Sequence, residues 1–276
     1  MAFLYAMSDI HGELEVFEAA LRQVDLRDTA NKLLLLGDYI DYGAQSGQVL
    51  RSIHELQQSY GEEQVVVLKG NHEVMLLEWL ETYSRPKARK SGEDDFFVWN
   101  DWLRTDKDTG FKTLRTFLSQ DEWEKFAQVA PTLSEYEMNL EAAKMILAAN
   151  KGLFRWLKGL PCYYETKTQI FVHAGVDEEA GDWWAWGTPD SVFTGKYPAE
   201  TGKFYKDIIA GHVGTASLAG DPDYYRVFWD GQSHYYIDGS TAKSGCLPIL
   251  KYDTETGHYT ELVEGNEERI ENARKN

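Results

Sequence analysis

Apolar residues in this chain gather in short runs, and the runs alternate with stretches whose apolar positions recur every three or four residues. Residues 2–7, 32–36, 64–68, 168–172 and 206–210 are such runs and predict buried strands. Between the first two, Leu14, Phe17, Leu21 and Val24 share one helical face, and Val49, Leu50, Ile53 and Leu56 repeat the pattern in the next connection. This β-α-β alternation implies parallel strands joined by helical crossovers.

From about residue 84 to 150 the alternation stops, and the segment becomes charged, aromatic and helical in character. Ser119-Gln120-Asp121-Glu122 has capping-box spacing ahead of Trp123, Phe126 and Val129, and Leu140, Ala143, Ile146 and Leu147 continue at helical intervals. The segment is read as a helical cap, with Trp99 and Trp102 in its core and the charged run from Arg85 to Asp95 as a solvated loop. Beyond residue 212, the runs 224–229 and 233–238 flank Asp230-Gly231, a hairpin signal. Leu247–Tyr252 would pair with His258–Val263 across Glu255-Thr256-Gly257, giving a mostly antiparallel second sheet. The polar stretch from Glu264 to Asn276 reads as a surface helix or frayed tail.

Candidate chemistry sits where the runs end. Ser8-Asp9-Ile10-His11-Gly12, Gly37-Asp38-Tyr39-Ile40-Asp41, Gly70-Asn71-His72-Glu73, His173-Ala174-Gly175 and Gly211-His212 each follow directly on an apolar run. Strand packing requires none of these polar groups. The carboxyl ends of strands in an open α/β sheet, however, form the crevice where ligands bind, so residues distant in sequence converge there. Any one motif could be an ordinary loop start. Five in series, holding four of the seven histidines, point to a two-metal site. Glu73 is read as opening the following helix, where its charge complements the helix dipole.

With these motifs the chain resembles the calcineurin-like metallophosphoesterases, specifically the phosphoprotein-phosphatase branch with its bacterial Ser/Thr protein phosphatases and diadenosine tetraphosphatases. Phe154 to Pro161, running into Tyr163-Tyr164-Glu165, is similar to the family's approach to its fourth motif, and Ile237-Asp238-Gly239 to its late strand and turn. The resemblance implies an α/β fold, a four-layer αββα sandwich with the helical insertion. It also implies a ligand set in which Asp9 and His11 grip a first ion, Asp38 bridges to a second, and Asn71, His173 and His212 complete the second ion's coordination. Mixed oxygen and imidazole ligands suit manganese first, with iron or zinc as alternatives. Two ions about 3.5–4 Å apart can share a hydroxide and stabilise charge in an in-line displacement. His72, oriented by Asp41, would protonate the leaving oxygen.

Three positions depart from the family pattern, which clamps phosphate with arginine. Tyr42, Lys69 and Trp186 stand where guanidinium groups belong, and Lys69 alone keeps a charge, without bidentate geometry. They are the candidate substrate-binding residues, with aromatic stacking on a planar group as one reading. Arg51, Arg85, Arg89 and Arg104 are the nearest candidate replacements. Trp183, Trp184 and Trp186 are expected to pack as a flap over the sheet in preference to stacking on substrate.

Composition narrows the class. At 276 residues and 43% hydrophobic, the chain is read as one globular domain over residues 1–276. It has no apolar run of the roughly 18 residues that suggest a membrane span, and its apolar start reads as a first strand and not a signal peptide. Cys162 and Cys246, far apart and outside metal-binding spacing, suggest reduced thiols and a cytoplasmic location. The net charge of −17 argues against sequence-independent nucleic-acid binding yet permits a phosphate-ester substrate, because bound divalent ions reverse the local field. The expected activity is metal-dependent phosphomonoester hydrolysis, on a phosphorylated protein or small phosphate ester. Nucleotide or dinucleoside polyphosphate hydrolysis is the alternative, and a weakly catalytic phospho-partner-binding protein is the alternative of another class.

Overall fold

Period-two alternation in the central strand sets the layering. In β1 (Phe3–Met7), Tyr5 and Met7 face one hydrophobic core while Leu4 and Ala6 face another. The same split recurs in β2 (Lys32–Leu35) and β3 (Val65–Val67): Leu33, Leu35, Val65 and Val67 join the first core, and Leu34 and Val66 the second. Both faces of this sheet are covered, which is why the strands read as continuous apolar runs. The computed structural model describes residues 2–84, 102–263 and 266–270.

The first core is filled from one side by α1 (Leu14–Leu21), α2 (Ser46–Tyr60) and α3 (Asn71–Ser84). The inserted segment contributes α4 (Trp102–Asp108), α5 (Gln120–Val129) and α6 (Glu135–Gly159). Ser119 and Ser134 both form reciprocal capping boxes, with Glu122 and Glu137. Leu103, Phe117, Phe126, Ala142 and Ile146 of this segment belong to the same core as Phe17 and Val49. The insertion therefore continues the helical layer and does not form a separate lid. Arg85 to Asp95 and Trp99 lie outside the described residues.

The second sheet contains β4 (Tyr163–Glu165), β5 (Gln169–Val172) and β6 (Asp207–Ala210). Three short helices, α7 (Trp184–Gly187), α8 (Asp190–Gly195) and α9 (Thr215–Ala219), intervene or follow. Strands β7 (Phe228–Trp229) and β8 (His234–Tyr236) complete it, in the order β4-β5-β6-β8-β7. Phe171, Ile209 and Tyr235 face the inter-sheet core, whereas Ile170, Val172, Ile208 and Tyr236 face an outer core with Trp184 and Phe193. Helical layer, sheet, sheet and outer helical elements make up the four-layer αββα sandwich.

Three expectations are corrected. After α10 (Thr241–Ser244), β9 (Ile249–Asp253) and β10 (Tyr259–Val263) do pair with each other, but β9 also runs antiparallel to β1 and so joins the first sheet. The second sheet is consequently not mostly antiparallel, because β5, β6 and β8 pair in parallel. Asn266–Arg269 is neither helix nor frayed: it forms β11, the edge of the six-stranded sheet, order β11-β10-β9-β1-β2-β3. Its four residues are all exposed, so no apolar pattern marks it. Of the three flap tryptophans only Trp184 packs, against Tyr163 and Phe193, while Trp183 and Trp186 are exposed. The two cysteines are free thiols, and no described helix is long and apolar enough to cross a membrane.

Candidate metal centre and active site

The loops leaving β1, β2 and β3 lie side by side. Asp9 N–H donates to Gly37 O (3.0 Å) and His11 N–H to Asp38 O (3.0 Å), locking the first two motif loops together, and Gly211 N–H donates to His173 O (2.8 Å) to do the same for the last two. Asp9, His11, Asp38, Asp41, Tyr42, His212 and Ser240 all have positive φ, seven of the eight non-glycine residues that do so among the described residues. Strain of this kind persists only where surrounding structure imposes it. Two glycines permit the crowding: a Cβ on Gly70 would lie 2.1 Å from Asp38 Oδ1, and one on Gly211 2.1 Å from Asp9 Oδ2.

Asp38 is the hub. Its Oδ2 lies 3.3 Å from His173 Nε2, 3.7 Å from His11 Nε2 and 3.9 Å from His72 Nε2. Two donor groups share it, one with His11 and His72 and one with His173 and His212, each with its ligand atoms within 4.8 Å of one another. Asp9 Oδ1 is 3.9 Å from His11 Nε2, and the Asp9 carboxylate accepts from His212 N–H at 3.1 Å. Asn71 Oδ1 lies 2.9 Å from His173 Nε2. The six residues expected as ligands are thus brought together around a cavity of about 540 Å³, with His173 fully buried behind its wall.

The donor set fits divalent cations. Asp9, Asp38 and Asp238 are all buried at the cavity, and no lysine or arginine forms an ion pair with any of them among the described residues. Buried carboxylates require a compensating cation or a proton. In the metal-free protein protons take that part. Burial, then the charges of Asp238 and Asp38, push the Asp9 carboxyl up. Burial opposes the charge on His173, but Asp38 beside it prevails and lifts it to about 9. Burial likewise opposes the Asp38 charge, and the neighbouring histidines, His173 first, hold its carboxyl below the usual range. Backbone carbonyls accept from the far nitrogens, Ile40 O from His11 Nδ1 (2.8 Å) and Leu36 O from His173 Nδ1 (3.1 Å), which turns both Nε2 atoms toward the carboxylates. Burial and the charge of His173 lower His212 to about 4, so that imidazole is neutral and able to ligate.

Beside this cluster, His72 Nδ1 donates to Asp41 Oδ2 at 2.7 Å, leaving Nε2 directed at the Asp38 side of the cavity. Burial disfavours its charge, but Asp38 and then Asp41 outweigh burial and raise it to about 9.

A family model for calcineurin-like phosphoesterases matches residues 4–252. The chain belongs to that family. It is 35% identical over 98 residues to a serine/threonine-protein phosphatase 2 of Escherichia coli K12, covering 36% of this chain and 42% of that one. It is 34% identical over 106 residues to a symmetrical bis(5'-nucleosyl)-tetraphosphatase of Chromobacterium violaceum, covering 37% and 36%. The matched segments thus span less than half the length of these relatives. Among solved structures, the cold-active protein-tyrosine phosphatase of a psychrophilic Shewanella shares the fold at a TM-score of 0.56 and 17% identity, covering 98% of this chain and 80% of that one. A putative diadenosine tetraphosphatase does so at 0.53 and 14%, covering 94% and 92%.

Within this calcineurin-like phosphoesterase the three candidate substrate-binding residues have separate fates. Tyr42 lines the cavity, its ring edge-on to His11 at 4.8 Å and to His72 at 5.3 Å. Lys69 does not line it; its backbone N–H donates to Pro161 O at 3.0 Å. Trp186 does not line it either and is 89% exposed. Among the candidate replacements, Arg51 donates to Thr116 O and Asn150 Oδ1, and Arg104 borders a groove of the helical layer. Arg85 and Arg89 lie outside the described residues.

Sequence reasoning passed over four further contributors. Glu73 does open α3, but it is fully buried and accepts from three backbone N–H groups of the motif loops: Asp38 (2.8 Å), Tyr39 (2.8 Å) and Gly70 (2.9 Å). Thr113 Oγ1 donates to Asp41 Oδ1 at 2.7 Å, and Trp102 Nε1 reaches both Asp41 oxygens at 3.2 Å while its ring packs on Trp79. Asp238 adds a third carboxylate to the cavity wall. The late Ile237-Asp238-Gly239 motif was the available signal for Asp238; nothing local marks Thr113.

Proposed function

We propose that this chain is a metal-dependent phosphomonoesterase of the Ser/Thr protein phosphatase type. The observation that carries the reading is the convergence of three buried carboxylates, without a lysine or arginine ion pair among the described residues, with four histidines, one of them aligned by a separate carboxylate. Asp9, His11, Asp38, Asn71, His173 and His212 would hold two divalent ions, manganese first, with iron or zinc as alternatives. Such ions supply an activated water nucleophile and neutralise charge on a phosphoryl group.

The protein's own groups do the rest. Asp41 fixes the His72 ring through Nδ1 and favours its protonated form, which leaves Nε2 facing the cavity as the donor position. A proton there is available to a departing alkoxide, the contribution of a general acid. Thr113 and Trp102 hold Asp41 against rotation. The two free thiols support a cytoplasmic setting.

Phosphate release from p-nitrophenyl phosphate by metal-stripped protein, titrated with Mn²⁺ beside an Asp38→Asn variant, tests the reading. Turnover should depend on Mn²⁺ and fall by at least about 100-fold in the variant, the scale of losing a group on which both ions depend. Turnover indifferent to chelator and to the substitution would refute it. A second reading, hydrolysis of dinucleoside polyphosphates, is favoured by the half-exposed Tyr42 ring on the cavity rim, which offers a surface for a base to stack on. Comparing diadenosine tetraphosphate with a phosphoserine peptide separates the two.

A further inference from the structure

We infer that Lys243 is the phosphate-recognising cation of this cavity, taking over the task that arginines at positions 42, 69 and 186 would have performed. The inference rests on the phosphoester reading above and adds the residue that selects the substrate's charge.

Electrostatics frames the need. A phosphomonoester dianion entering the cavity meets walls carrying Asp9, Asp38 and Asp238. Bound ions would offset charge at the floor, but phosphoryl oxygens directed away from them still require a donor. Among the described residues, Lys243 is the only lysine or arginine lining the cavity, where it follows Ser240 and Ala242 on the α10 turn.

Geometry makes it available. The turn is held by Lys243 N–H to Ser240 O (2.8 Å), by Ser244 Oγ to Gly239 O (2.7 Å) and by left-handed backbone at Ser240 and Gly245. The Lys243 side chain is exposed and forms no ion pair among the described residues; its ammonium rests 5.9 Å from the Tyr225 ring centroid. Neighbouring cations are placed elsewhere: Lys112 donates to Tyr42 O at 2.9 Å, Lys69 does not line the cavity, and Arg51 donates to Thr116 O and Asn150 Oδ1.

The substitution has a chemical consequence. A guanidinium fork imposes orientation on a phosphate, whereas a single ammonium on a rotatable stem responds to charge alone. Lys243 therefore selects the dianionic phosphoryl group of a monoester over the monoanion of a diester, without fixing the identity of the leaving group.

The test uses the full chain loaded with Mn²⁺ and orthophosphate as the calorimetric probe, with p-nitrophenyl phosphate and bis-p-nitrophenyl phosphate as substrates. Lys243→Ala should weaken orthophosphate binding by about tenfold or more, the scale of one charge-assisted hydrogen bond. The same variant should raise KM for the monoester more than for the diester, and Lys243→Arg should restore both. Mn²⁺ affinity and thermal stability should be unchanged, and Lys112→Ala should match wild type. Orthophosphate binding by Lys243→Ala within about twofold of wild type, or an equal loss in Lys112→Ala, would overturn the assignment. Wild-type protein that binds orthophosphate but hydrolyses neither ester would overturn the hydrolase reading separately, and weakened binding in Lys243→Ala would then still support the role of Lys243.

Discussion

Replacing Glu73 by Gln probes how the site is held together. The carboxylate accepts two N–H groups at Oε2 (Asp38 and Gly70) and one at Oε1 (Tyr39). A glutamine keeps the pair by placing its amide oxygen at the Oε2 position, and then its NH₂ opposes the Tyr39 N–H. One charge-assisted bond disappears, two become neutral, and a buried donor is left without an acceptor, together costing about 3–5 kcal/mol. Against this stands relief of a buried charge: burial, then Asp38, raise the Glu73 carboxyl from 4.5 to about 7, a penalty of roughly 3 kcal/mol once it ionises.

In metal-free protein above neutrality the two effects nearly offset, so the variant should lose no more than about 2 kcal/mol. When cations neutralise Asp38 much of the relief disappears and the lost hydrogen bonds emerge, as weaker Mn²⁺ affinity by about 10- to 100-fold. The pH dependence carries a matching sign. A carboxyl raised in the folded state destabilises it as pH climbs from 4.5 through about 7, and Glu73→Gln should flatten that decline. Urea unfolding at pH 5 and pH 8 with Mn²⁺ calorimetry reads all three quantities. A large stability loss at both pH values with unchanged Mn²⁺ affinity would refute the reasoning and reduce Glu73 to a packing role.

Two further outcomes are expected. Thr113→Val removes the 2.7 Å donor to Asp41 without changing shape, and should cost about 1.5–3 kcal/mol and slow hydrolysis of alkyl phosphates more than of p-nitrophenyl phosphate; equal slowing would count against a role through His72. His234, buried in β8, donates to Glu178 Oε1 and Asp230 Oδ2, both at 3.0 Å; burial opposes its charge, but these carboxylates raise it above 6.5. Because the folded value lies above the unfolded one, this stabilisation is complete below about pH 6.5 and is lost as pH rises through the raised value. Lys196 also faces Glu178, at 3.9 Å, and keeps that carboxylate partly compensated. His234→Gln should therefore cost about 3–5 kcal/mol at pH 6 and less at pH 9, by urea unfolding, whereas a loss independent of pH would show that the histidine is neutral.

The motif residues were legible because their chemistry is local: a polar side chain directly after an apolar run marks a strand end, and Asp9, Asp38, Asn71, His173 and His212 all occupy such places. Strand and helix positions were legible for the same reason, as periodicity within β1 or α2 reports the faces of that element alone. The β9–β10 hairpin was visible, but not its allegiance, because joining β1 depends on register between residues some 250 positions apart, such as Phe3 with Asp253. Strand β11 lacked a signal because an exposed edge strand buries neither face.

The apolar strands, the helices between them and the candidate site residues follow from the linear pattern, since each rests on free energies exchanged between near neighbours. Tertiary packing decided what those residues touch. It made Glu73 a staple for three backbone amides, brought Thr113 and Trp102 onto Asp41, and left Lys243 lining the cavity where Lys69 does not. Hydrogen-bond partners separated by 35 positions, as at Glu73 with Asp38, or by 72, as at Thr113 with Asp41, are set only when layers close on one another, and no local periodicity encodes them.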